Sequence, residues 1–150
     1  MMETPRPVPL HDELAVEDAN ERFYRALEDC ELAEMEALWL HEDWVKCVHP
    51  GWELITGWEK VRESWERIFQ NTKGIRVTAT DVSLRVEGDF AWVTCTENLA
   101  LFVDNSAAPA SAVTTATNLF SRVGEQWLLV HHHASQVPAL TLINESETIQ

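Results

Sequence analysis

The sequence predicts an α+β domain in which three N-terminal helices pack on a curved antiparallel sheet. Apolar residues recur with helical spacing between Ala19 and Phe69, and from Ile75 onward they alternate with period two. Tight-turn strings at Glu87-Gly88-Asp89 and Gly124-Glu125 cut the alternating half into strands of a meander. Helices first and an antiparallel meander afterwards is the α+β order.

Each element has its own signal. Ala19, Phe23, Ala26, Leu27 and Cys30 form one helical stripe, with Glu21, Arg25, Glu28 and Asp29 outside it. A short second helix buries Leu32, Met35, Leu38 and Trp39. In the third, Thr56 and Glu59 have capping-box spacing, and Trp58, Val61, Trp65, Ile68 and Phe69 line a face read as core. Residues 44–55, around Pro50-Gly51, read as a short strand running into a loop. Ile75, Val77 and Ala79 share one phase, whereas Val82, Leu84 and Val86 share the other, so a β-bulge near Thr80-Asp81 is expected to keep both sets on one face. Strands over 91–103, 112–123 and 127–137 follow, with a longer loop at 104–111. Residues 1–11 and 139–150 read as tails around a single domain at 12–138.

Composition limits the function classes. A chain of 150 residues that is 45% apolar can bury a proper core. Its formal charge of −14 leaves no basic patch for phosphates, which argues against nucleic-acid and anionic-membrane partners. Cys30, Cys47 and Cys95 have neither disulfide-framework nor zinc spacing, and no run approaches a membrane span; a reducing, cytoplasmic setting is expected. The five glycines are scattered at turns and make no phosphate loop, and no cofactor is expected.

Several strings in this order carry a resemblance: Ala26-Leu27 and Ala37-Leu38-Trp39 in the first two helices, Gly57 opening the third, Thr117-Asn118-Leu119-Phe120, and Trp127-Leu128-Leu129-Val130-His131-His132-His133-Ala134-Ser135 at the end. Over roughly residues 12–138 the chain resembles the nuclear-transport-factor-2-like superfamily, in particular its SnoaL-like members and the association domain of calcium/calmodulin-dependent protein kinase II. The resemblance implies a cone-shaped fold, a pocket between helices and sheet, and a homodimer formed through the sheet's outer face. It does not fix an activity, because one fold hosts many. The resemblance implies that the isomerase-type members place a carboxylate base before a proline, a tyrosine on the first helix and, on the penultimate strand, an aspartate kept protonated by its apolar setting. Here those positions hold His49, Phe23 with Tyr24 next to it, and Asn118.

The candidate chemistry follows from those departures. His49 is a possible base and Asn118 a hydrogen-bond donor to a developing oxyanion, unless the first merely caps backbone beside Pro50 and the second closes the sheet. Glu97 interrupts the apolar set Ala91, Val93, Cys95, Leu99 and is a candidate functional acid or a paired structural one. His131 and His133 share a face and His132 takes the other; two histidines at i, i+2 need a third ligand from elsewhere, for which Glu97 and His49 are the candidates, and no metal site is assigned. Trp44 and Trp52 flank the Pro50 loop, where aromatic rings suit a flat or apolar ligand. The expectation is a domain that binds a small, largely apolar organic molecule through Phe23, Trp39, Trp52 and Phe120, with His49, Asn118, Glu97 and His133 as polar contacts. An association module without catalysis, and a lyase or isomerase using His49 as base, are the alternatives.

Overall fold

The computed structural model describes residues 10–103 and 108–138. Two helices come first, α1 (Leu10–Asp29) and α2 (Leu32–Leu38), followed by the short strands β1 (Lys46–Val48) and β2 (Ile55–Thr56). Next come α3 (Trp58–Gln70) and four long strands, β3 (Gly74–Glu87), β4 (Phe90–Phe102), β5 (Ala110–Val123) and β6 (Gln126–Gln136). The segment 139–150, most of 1–11 and positions 104–107 of the expected loop lie outside the described residues; α1 is already helical at Leu10.

The α+β class holds with two corrections. Only α1 and α2 precede the sheet, since β1 and β2 come before α3. The sheet, in the order β2-β1-β6-β5-β4-β3, is not wholly antiparallel, because β1 lies parallel to β6 with Cys47 opposite His132. A parallel pair needs a long crossover, and everything from β2 to β5 supplies it.

Local chemistry sets the element ends. α1 stops in a Schellman turn: Cys30 has φ 52°, its N–H bonds to Leu27 O at 3.2 Å, and Glu31 N–H reaches back to Ala26 O at 3.2 Å. The capping box expected at Thr56 does not form. β2 pairs Thr56 with Lys46, whose Nζ donates to the threonine hydroxyl at 3.1 Å, and Gly57 becomes the N-cap without a side-chain bond. Gly57 has φ 92° and sits where Asp43 O would meet a Cβ at 3.4 Å, so the tight entry into α3 favours glycine.

Two bulges fix which side chains face the helices. In β3 the register jumps from Thr80↔Thr96 to Ser83↔Thr94, so Asp81, at φ 52°, and Val82 stand opposite Cys95 alone. The expected change of phase is therefore present, and Val77, Ala79 and Leu84 all pack toward the core, while Val82 remains 47% exposed. In β6, Leu119 pairs with His131 but Phe120 with Leu129, which leaves Val130 as the extra residue. Leu129, His132 and Ala134 are buried in consequence, and His133 is exposed on the other face. Val16, Phe23, Leu27, Met35, Val61 and Trp65 from the helices meet Val93, Ala116, Phe120 and Leu129 from the sheet in one core. None of the described helices is long and apolar enough to cross a membrane.

Candidate functional site

The inner face of the sheet carries more polar side chains than a core of this size needs for packing. On β4 and β5, Glu97, Thr114 and Asn118 are at most 2% exposed, and His132 on β6 is opposite Asn118. α1 brings Asn20 and Tyr24 over them, one turn apart. His49, the residue that follows β1, is also buried, and α3 supplies Ser64.

Hydrogen bonds order these groups. The Asn118 amide donates to Asn20 Oδ1 at 2.9 Å and to Tyr24 Oη at 3.2 Å. The Tyr24 hydroxyl donates to Glu97 Oε2 at 2.7 Å, and Thr114 donates to Glu97 Oε1 at 2.5 Å. With its nitrogen donating, Asn118 accepts from His132 Nδ1 at 2.6 Å, which assigns the proton of that imidazole to Nδ1. The string His132–Asn118–Tyr24–Glu97 thus runs with every donor pointed toward one carboxylate. At the other end, Ser64 Oγ donates to Val61 O at 2.6 Å, so it accepts from His49 Nε2 at 2.8 Å and leaves the His49 lone pair on Nδ1.

Burial decides the electrostatics. His49 is pushed down to about 3, first by loss of water and then by His132. His132 is also pushed down to about 3 by burial, with His131 and His133 adding to the shift. Both are neutral at pH 7. Burial raises the Glu97 carboxyl, while the bonds from Thr114 and Tyr24 pull it back. The Tyr24 phenol is held far above its ordinary range by burial, then by Glu97 and Cys95, so it is a donor and never a phenolate here. Burial also keeps the Cys47 thiol protonated, although its Sγ is 3.6 Å from His49 Nε2.

The expected site residues divide into those the fold gathers and those it does not. His49 and Asn118 converge on His132, from 6.4 Å between the two rings on one side and through the hydrogen bond on the other. Phe23 packs on His132 at 4.9 Å and on Trp65 at 5.7 Å, and Trp52 meets the His49 ring edge-on at 4.9 Å. Glu97 is attached through Tyr24. Phe120 lies in the core opposite Leu129. Trp39 is buried against Trp58 and bridges to Leu129, in the seam between α2 and β6. His133 does not share the cluster's face. The Val130 bulge turns it outward beside His131, with 6.1 Å between rings, and places His132 inside. Sequence reasoning passed over His132, Ser64, Asn20 and Thr114. The i, i+4 pair Asn20/Tyr24 on the face of α1 turned to Asn118 was a signal for Asn20, whereas His132, Ser64 and Thr114 had none.

The indole N–H groups of Trp39 and Trp65 are buried without a hydrogen-bond partner, and Trp65 stacks edge-on to His49 at 4.5 Å. A surface cavity of about 470 Å³ lies over Trp52, Leu54, Ser64 and Arg67, at the His49 end of the cluster. A second, of about 500 Å³, opens between α1 and β3 at the Tyr24 end. Among the described residues no three His, Cys, Asp or Glu side chains are grouped as metal ligands.

Comparison with known proteins places the domain. Residues 16–139 match the family described as the SnoaL-like domain. The F-box protein SKIP8 of Arabidopsis thaliana is 30% identical over 135 residues, 90% of this chain and 53% of that protein, so the chain spans about half the length of this curated relative. A solved structure from Streptomyces avermitilis, a candidate dehydratase of the nuclear-transport-factor-2-like family, is 37% identical with a TM-score of 0.81, covering 88% of this chain and 100% of its own. A candidate calcium/calmodulin-dependent protein kinase type II association domain from Thiobacillus denitrificans is 29% identical with a TM-score of 0.68, covering 91% and 100%.

Proposed function

The chain belongs to the SnoaL-like domain family, and on that premise we propose that it binds a small, largely apolar organic molecule between helices and sheet, beside His49, His132 and Asn118. The observation that carries this reading is the buried polar string set in an aromatic shell. Burying so many polar groups costs free energy that packing alone would not require, and such convergence in an apolar setting is the usual make-up of a ligand site. Phe23, Trp52 and Trp65 supply the shell. The unpartnered Trp65 N–H is a ready donor to a ligand oxygen. The cavity on the Trp52 side reaches Ser64, the hydrogen-bond partner of His49, and is the side from which a ligand would enter.

Binding is favoured over turnover. His49 has a lone pair on Nδ1, and likeness to a candidate dehydratase supports proton transfer with His49 as base, but both N–H groups of Asn118 are already given to Asn20 and Tyr24. A base near 3 is nonetheless far from the neutral value at which general-base catalysis works best. The experiment is a panel of cyclic hydrophobes followed by two-dimensional NMR. Ligands should shift the imidazole signals of His49 and His132 and the Trp65 indole together. A panel that moves none of the three rejects the site.

A second reading concerns assembly and is compatible with the first. The outer rows Trp92–Leu119–His131–Lys46 and Thr94–Thr117–His133–Val48 carry no carboxylate, in a chain with 25 acidic residues. A face spared of negative charge suits contact with a second copy, and a homodimer through this face is the proposed assembly.

A further inference from the structure

We infer that the cleft between α1 and β3 is a separate binding site for a neutral, oxygen-bearing hydrophobe such as a cyclic ketone, and that it turns away carboxylates. It is distinct from the ligand site proposed above, which opens beside Trp52.

The cleft encloses about 500 Å³, within the usual range for a small-molecule pocket of ~300–1,000 Å³. Its floor is apolar, made by Val77, Ala79, Val82 and Leu84. The β3 bulge builds that floor: Ala79 and Leu84 belong to opposite phases of the strand, and only the extra residue at Asp81-Val82 lets both face α1. Val82 is 47% exposed, an apolar side chain that nothing in the described fold covers.

The polar end of the cleft specifies the ligand's functional group. Asn20 and Tyr24 line it and are 3% and 7% exposed. Tyr24 Oη is already engaged with Glu97 and Asn118. Asn20 commits its carbonyl oxygen to Asn118, which leaves its amide N–H₂ as the group it offers the cleft. This donor meets the cleft and not the sealed core, so the occupant that matches it carries a carbonyl or ether oxygen at its inner end. At the mouth stand Glu17, Glu21 and Glu28 with Arg25, a net negative rim on a chain of charge −14. Exposed carboxylates do not build a cation site in water, but together they disfavour an anion.

The test is a matched set of probes, 1-indanone, indane-1-carboxylate and 1-aminoindane, titrated at low salt into the full chain and into Val82→Trp while amide shifts are followed. The ketone should move Ala79 and Leu84 and the Asn20 side-chain amide, and the carboxylate should bind at least about tenfold more weakly. In Val82→Trp the indole occupies the cleft, so these shifts should vanish with the rest of the spectrum unchanged. Shifts that persist in the variant, that map to His49 and Trp65 instead, or that are absent overturn the cleft. An amine that binds more tightly than the ketone overturns the assignment of a neutral ligand. Failure of the Trp52-side site is read separately, at His49, His132 and Trp65.

Discussion

His49 and His132 are bases that the fold holds in their uncharged form, and that has a cost the protein meets only in acid. An unfolded histidine takes a proton near 6.5, whereas both of these wait until about 3. Between those values the unfolded chain binds more protons than the folded one, so their contribution is fully present above about 6.5 and is lost as pH falls. Each should remove about 2 kcal/mol between pH 7 and pH 5. Glu97 acts in the opposite sense, because its raised carboxyl binds a proton more readily when folded and so favours mild acid. Urea midpoints at the two pH values should fall toward pH 5, and in His49→Phe the fall should shrink by about one histidine's share. Ser64 keeps its bond to Val61 O in that variant and is not stranded. An unchanged pH slope would exclude burial of neutral His49 as the cause. At this scale Asn118 was legible, since an amide on an apolar strand face demands partners. His132 was not, because nothing in Leu128-Leu129-Val130 marks which of three apolar residues is the bulge.

Elements are bounded here by backbone geometry more than by side-chain caps. α3 begins on a glycine at φ 92°, where an added Cβ would meet Asp43 O, and no side-chain cap bond supports it. Gly57→Ala should therefore lower stability by roughly 1–2 kcal/mol, read as a melting temperature lower by about 3–6 °C. A variant that melts with the parent would show that the helix entry relaxes freely. The β3 bulge was readable because its two apolar sets, Val77/Ala79 and Leu84/Val86, sit in opposite phases with Thr80-Asp81 between them. The false capping box was equally plain in sequence. It failed because β2 engages Thr56 with Lys46, a tertiary pairing that local spacing does not encode.

On the scale of the molecule, charge is segregated: the outer rows of β4, β5 and β6 are free of carboxylates while α1 and α3 carry many. Sedimentation should give a dimer, and Thr117→Glu, which sets a carboxylate between Thr94 and His133, should give a folded monomer. A monomeric parent or a dimeric variant refutes this assembly. The order of helical and alternating segments made the α+β class legible, and the parallel β1–β6 pair was hidden because strand direction across a long crossover leaves no mark on local periodicity. That pair governs how the chain is built during synthesis. β6 lies between β1 and β5, so the last of these six strands to be synthesised is an interior strand of the sheet, and β1 has no long strand to lean on until then. His49 waits for His132 across nearly the whole domain. The polar string therefore closes as one of the final acts of folding, and a nascent chain cut short before Gln126 would present two unpaired sheet edges to its neighbours.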